Sequence, residues 1–191
     1  MLQKDVRELF KKNNALLNGH FKLSSGLHSD TYFQSALILQ YPKEAERLGE
    51  ELAKKIKENN IKVDVVVSPA IGGIVIGQEL GRALSVRAIF TERVDDKVLL
   101  RRGFSVSNNE KVLVVEDVIT TGISTREVIE TLKANGSQVV AVVSLVDRSA
   151  GKVDFVVPRF CLLSLEVKSY KEEDCPMCKE GSIAVKPGSR K

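Results

Sequence analysis

Two adjacent acids at the end of an apolar run, followed at once by a turn of small hydroxylated residues, are the groups in this sequence best suited to chemistry. The stretch is Val112 to Val115, then Glu116, Asp117, Val118, Ile119, Thr120, Thr121, Gly122, Ile123 and Ser124. Carboxylates beside a polyphosphate would repel it, so their partners should be hydroxyls or a metal. Glu116 and Asp117 can accept hydrogen bonds from the two vicinal hydroxyls of a ribose, while Thr120 to Ser124 offers backbone N–H groups and hydroxyls to a 5′-phosphate. No lysine follows the glycine as a Walker A loop requires, and the spacing of a dinucleotide-binding glycine fingerprint is missing.

The elements that must position this turn are legible on either side. Val112 to Val115 has the unbroken apolar character of a buried parallel strand, and Thr125 to Asn135 carries Val128, Ile129 and Leu132 at helical spacing. Strand, tight loop and helix N-terminus thus follow in order, which is where doubly wound sheets bind anions. A second loop, Ser68 to Gly73, also follows a short apolar run, Val63 to Val67, and opens a helix, Ile74 to Ala83. Its paired glycines, Gly72 and Gly73, permit a close nest of amides suited to a diphosphate.

The motif from Glu116 to Ser124 resembles the signature of the type I phosphoribosyltransferases, which bind 5-phosphoribosyl 1-diphosphate with Mg2+. Three further segments resemble the orotate phosphoribosyltransferases among them. Gly19 to Phe33 is similar to their hood, Ser68 to Gly73 to their diphosphate loop, and Asp147-Arg148 to the position where an arginine meets the pyrimidine. The resemblance implies a central, mainly parallel sheet flanked by helices, with a small N-terminal hood. It implies transfer of a phosphoribosyl group to orotate, giving orotidine 5′-monophosphate and diphosphate in pyrimidine synthesis. It places phosphosugar contacts on Glu116 to Ser124 and on Ala70, Ile71, Gly72 and Gly73, with a cis peptide at Ala70-Ile71. Orotate contacts fall on Thr120, Arg148, Tyr32 and Phe33, and catalytic roles on Lys97, Arg93 and Asp117. Mg2+ is expected to be held mainly by substrate, with no direct protein ligand. The assembly implied is a homodimer whose active sites are shared.

The chain departs from familiar members in three places. Gly72 stands where many have a lysine, Ser24 replaces a hood lysine, and no histidine lies in the segment Thr91 to Arg102. Lys22, two positions before Ser24, is expected on the same strand face. The charged segment from Thr91 to Gly103 reads as a mobile loop, of the kind that closes over a reactive intermediate, or else as a solvated hairpin. His20 and His28, the only histidines, are expected at the surface. Cys175-Pro176-Met177-Cys178 is a lone C-x-x-C pair; a zinc site needs four ligands, so an inert tail is the first expectation and a structural metal the alternative.

One domain spanning 1–191 is expected, with a hood over about 1–40, a core over about 41–165 and a tail over about 166–191. Helices are expected from Leu2 to Lys12 and from Pro42 to about Asn59, short hood strands at Phe21 to Leu23 and Thr31 to Gln34, and further strands at Val86 to Phe90 and Val139 to Val146. The 191 residues, 43% apolar, suffice for one sizeable core. With 29 basic and 25 acidic residues the net charge is +4, compatible with anionic small substrates but not the clustered basic face of a nucleic-acid binder. Met1 to Asn14 has no apolar h-region and no run approaches a membrane span, so the cytoplasm is the expected location. Two other functions fit the ribose motif: transfer to a different base, and a nucleotide-sensing regulator on the same fold.

Overall fold

The computed structural model describes residues 1–23 and 25–187. Its centre is a six-stranded sheet in the order β5-β4-β3-β6-β7-β8. The strands are β3 (Val65–Pro69), β4 (Arg87–Val94), β5 (Lys97–Leu100), β6 (Lys111–Ile119), β7 (Gln138–Asp147) and β8 (Arg159–Ser164). All neighbours pair in parallel except β4 and β5, which form an antiparallel hairpin at the edge. The mainly parallel sheet agrees with the sequence expectation. Val65 to Val67 and Val112 to Val115 are wholly buried because helices cover both faces, which is why these strands read as continuous rather than alternating apolar runs.

The helices follow the same logic. Helix α3 (Pro42–Glu58) begins with Pro42 in its first turn, where the missing N–H has no partner to lose, and buries Leu48, Leu52 and Ile56 along one stripe. It packs with α4 (Gly73–Leu84) on one face of the sheet, and α5 (Ile123–Ala134) buries Val128, Ile129 and Leu132 on the other. The two apolar clusters lie on opposite sides of the strands. One contains Leu113 and Val115, the other Val112 and Val114, as strand alternation requires.

The hood comprises α1 (Gln3–Lys12) and an antiparallel pair, β1 (Leu16–Lys22) with β2 (His28–Phe33). Phe10 of α1 meets the Phe33 ring edge-on, with centroids 5.7 Å apart. The tail folds back over this pair. Lys22 N–H donates to the Val185 carbonyl, Val185 N–H donates to the His20 carbonyl, and His28 and Tyr170 exchange both backbone bonds. A short α2 (Ala36–Leu39) joins hood to core, and α6 (Pro176–Lys179) lies in the tail.

Three expectations are corrected here. The segment from Thr91 to Arg102 is not a loose loop: most of it forms β4 and β5, Val98 and Leu100 pack against the α5-side core, and the Thr131 hydroxyl donates to the Val98 carbonyl at 2.8 Å. Its charges left the docking contacts obscure, since Val98 and Leu100 are the apolar residues that pack inward. His20 and His28 are not at the surface; they are 8% and 2% exposed, covered by the returning tail. Strand β8 and helix α2 were not anticipated, being short apolar runs without periodicity.

Thr131→Val would leave the Val98 carbonyl without that donor, at a cost of about 1 kcal/mol. Hydrogen exchange followed by mass spectrometry should show faster exchange confined to the β4–β5 hairpin, with β3 and β6 as protected as before.

Candidate active site

Glu116 and Asp117 occupy the carboxyl end of β6, one of the two innermost strands, so the sheet carries them to the rim of the cavity. Alternation turns Glu116 inward, 8% exposed, and Asp117 toward the opening. Burial holds the Glu116 carboxyl well above its ordinary range, and the neighbouring Asp117 charge pushes in the same direction, partly opposed by a hydrogen bond from Thr125. Asp117 Oδ1 accepts from the Val118 N–H at 2.9 Å. A Cβ on Gly72 would sit 2.9 Å from Asp117 Oδ1, so the glycine gives this carboxylate its room.

The turn that follows depends on Gly122. Its φ is +76°, and a Cβ there would lie 2.5 Å from Val153 and 3.0 Å from Phe155. Helix α5 starts immediately after, and its first N–H groups have no partner within the helix. No acid lies in that first turn to compete for an anion. Arg126 fixes the turn from outside: it donates to the Thr121 carbonyl at 3.1 Å and the Asp154 carbonyl at 3.0 Å, while its guanidinium lies over the Phe155 ring.

Across the opening stands the Ser68 to Gly73 loop, with a cis peptide at Ala70-Ile71 as the resemblance implied. Ala70 N–H donates to the Thr91 carbonyl at 2.9 Å, tying this loop to β4. Between them the elements enclose a cavity of about 180 Å³, lined by Ala70, Gly72, Arg93 and every residue from Glu116 to Ser124. Ile71 and Gly73 do not line it: Ile71 points to solvent and Gly73 is buried against Ser68. Thr91 does line it, and its buried hydroxyl has no hydrogen-bond partner among the described residues, a feature that the sequence left unmarked.

The candidate base-binding residues divide. Arg148 follows β7, 8% exposed, its turn set by Asp147, whose carboxylate accepts from the Ser149 N–H, the Ser149 hydroxyl and the Gly151 N–H. Arg148 Nη2 donates to Ser29 Oγ at 3.3 Å, while Nε has no partner among the described residues. Burial lowers the Arg148 pKa from its ordinary value, partly offset by Tyr32 and Asp30. Tyr32 is half-buried; burial raises its phenol pKa, and Asp117 adds to the rise, but neither Tyr32 nor Arg148 is among the residues lining the cavity. Phe33 is not a base contact. Successive strand residues face opposite ways, and Phe33 is turned into the core against Phe10.

The charged groups of the hairpin also divide. Arg93 lines the cavity, donates to the Asp96 carbonyl at 2.9 Å and is ion-paired with Glu127 of α5. Lys97 is exposed at the hairpin turn, outside the cavity. Lys22 pairs with Glu172 of the tail at 3.4 Å rather than taking the place of a hood lysine. Ser24 lies outside the described residues.

Comparison with known proteins agrees with this geometry. The phosphoribosyl transferase domain family matches residues 38–162. An orotate phosphoribosyltransferase of Carboxydothermus hydrogenoformans is 55% identical over 187 residues, 98% of each chain. One from Caldanaerobacter subterraneus subsp. tengcongensis is 52% identical over the full length of both. The chain belongs to the orotate phosphoribosyltransferase family. Among solved structures, orotate phosphoribosyltransferase from Aeropyrum pernix is 27% identical, with a TM-score of 0.66 over 83% of this chain and 93% of that one. The hood residues His20, Ser29 and Tyr32 lie outside the segment matched by the domain family, 38–162.

The raised Glu116 pKa has a sign that can be tested. The folded protein holds this proton more tightly than the unfolded chain, so the contribution to stability is complete below the ordinary value of 4.5 and is lost as pH rises through the folded value. Glu116→Gln keeps a donor toward Asp117 and cannot ionise. Its melting temperature should match wild type near pH 4 and exceed it by several degrees at pH 8, on a scale of about 2–4 °C per kcal/mol. Calorimetry across that range checks the crossover; a constant offset would mean that the carboxyl does not titrate as described.

Proposed function

We propose that the chain transfers the phosphoribosyl group of 5-phosphoribosyl 1-diphosphate to N1 of orotate, forming orotidine 5′-monophosphate and diphosphate. The observation that carries this reading is the buried acid pair at a strand end, followed by a glycine turn into α5, with Arg148 set beyond β7. In the reaction the C1–O bond to diphosphate breaks with its electron pair leaving on oxygen, and the N1–C1 bond forms. N1 releases its proton to the diphosphate or to water.

The chain's groups divide this work. Thr120 to Ser124 and the start of α5 hold the 5′-phosphate, and Asp117 with Glu116 fixes the ribose hydroxyls and stabilises positive charge developing at C1. Thr91, Ala70 and Gly72 face the diphosphate, and Arg93 offsets its charge. Arg148 and Tyr32 orient the pyrimidine, with Thr120 beside them. The oxygen donors suit a hard cation but are too few to cage one, so Mg2+ would take most of its ligands from substrate and water. When bound, it supplies charge neutralisation for the leaving diphosphate.

A homodimer in the cytoplasm is part of the proposal, with Lys97 reaching from one hairpin turn toward the partner's diphosphate site. Its exposure outside its own cavity supports that role. Transfer to another base is the competing outcome of the assay.

Loss of orotate absorbance on mixing protein, Mg2+ and both substrates tests the reaction directly. Asp117→Asn should lower turnover by about 10²-fold or more, because one charge opposite the cationic sugar is lost. Arg148→Ala should raise the orotate KM far more than that of the phosphosugar, since it bonds to the hood and is not among the residues lining the phosphosugar loops. Equal damage to both constants would remove Arg148 from the base site.

Lys97→Ala and Asp117→Asn subunits, each nearly inactive, should regain about a quarter of wild-type activity when mixed, if exchange is free and sites are independent. Absence of recovery, with exchange verified by native mass spectrometry, would place Lys97 in its own chain's site.

A further inference from the structure

Away from the cavity, the returning tail brings two histidines and two cysteines to one point. His20 belongs to β1, His28 opens β2, Cys175 caps α6 and Cys178 lies within it. Their ligand atoms all lie within 4.8 Å of one another. His20 Nε2 is 3.0 Å from His28 Nδ1, 3.5 Å from Cys175 Sγ and 3.6 Å from Cys178 Sγ; His28 Nδ1 is 3.2 Å from Cys178 Sγ.

Hydrogen bonding alone accounts poorly for this crowd. His20 Nε2 has either one proton or one lone pair to offer, yet three polar atoms converge on it. A cation at the centre satisfies all four at once. For bond lengths of about 2.05 Å to nitrogen and about 2.3 Å to sulfur, a tetrahedron has edges of roughly 3.3 Å (N–N), 3.6 Å (N–S) and 3.8 Å (S–S). The separations here lie within a few tenths of an ångström of the N–N and N–S edges.

One ring also has an outer partner: His20 Nδ1 is 3.1 Å from the Ser182 hydroxyl, which fixes the tautomer that leaves its inner nitrogen free to ligate. His28 Nε2 lies 3.8 Å from the Glu172 carboxylate without a hydrogen bond. All three cysteines are free thiols, so no disulfide consumes Cys175 or Cys178.

We propose that His20, His28, Cys175 and Cys178 form a closed, structural zinc site that fastens the C-terminal segment onto the hood. Two thiolates and two imidazoles in a tetrahedron select zinc over oxygen-seeking cations, and four protein ligands leave no open position for substrate. The site is distinct from the Mg2+ of the proposed reaction. It also bears on β2, because His28 adjoins Ser29, whose hydroxyl accepts from Arg148 and donates to the Lys168 carbonyl.

Metal analysis of the full-length protein, purified without chelator and dialysed against Zn2+ under reducing conditions, should give about one zinc per chain. Cys178→Ser should lose it and Cys161→Ser should keep it. Replacement by Co2+ in the wild-type protein should produce the intense visible bands of tetrahedral cobalt with a thiolate-to-metal charge-transfer band, a readout that needs no variant to fold. Alkylation of the folded protein should spare Cys175 and Cys178 until a chelator is added. Wild-type protein that takes up neither metal under these conditions overturns the proposal, as does one purified with a Cys175–Cys178 disulfide that zinc and reductant do not convert. Zinc retained by Cys178→Ser would equally overturn it.

Discussion

Two neighbouring carboxyl groups held at the end of a buried strand are the constraint around which this molecule is arranged. Bringing Glu116 out of water next to Asp117 opposes folding, and the surrounding sheet supplies the apolar burial that offsets it. The acids sit on β6 because it is flanked on both sides, by β3 and β7, so its end cannot shift without moving the sheet. Gly72 then admits the Asp117 carboxylate, and Gly122 turns the chain into α5 without a Cβ to meet Val153.

The segment around Glu116 to Ser124 was legible in the sequence because it is local: strand, loop and helix start lie within one short stretch, and each part has its own signature. The same holds for the strand, loop and helix around Ser68 to Gly73 and for the helices with apolar stripes, whereas the cis peptide at Ala70-Ile71 followed from the family resemblance alone. What escaped was determined by contacts between distant segments. The hairpin read as a loop because what docks it, the Thr131 hydroxyl and the α5 core, lies some thirty residues onward, at a sequence separation of 33 for the Val98 bond. Phe33 could not be told from Tyr32 without knowing which face of β2 meets α1. The histidines looked superficial because the residues that cover them come from the tail.

Thr91 illustrates a subtler limit. Nothing in Thr91-Glu92-Arg93 marks the first residue as special, and only the geometry reveals a buried hydroxyl facing the cavity with no partner among the described residues. The converse holds for Lys22, whose spacing put it on the strand face of Ser24, where a hood lysine is missing, but which pairs with Glu172. In both cases side-chain direction decided the outcome, and direction is set by pairing partners the local sequence does not contain.

The return of the tail to the hood has a consequence for the order of synthesis. His20 and Cys175 lie 155 positions apart, and Lys22 binds the backbone of Val185. A hood strand therefore leaves the ribosome well before its covering segment exists, 155 residues before in the case of His20 and Cys175. The sheet from β3 to β8 can close during that interval, with its contacts already emerged, whereas the hood must remain open on one side. Domains acquire structure from the N-terminus first as a rule. Here the hood strands are completed late, and the wall bearing Ser29 and Tyr32 becomes whole only once the segment from Tyr170 to Val185 has been made.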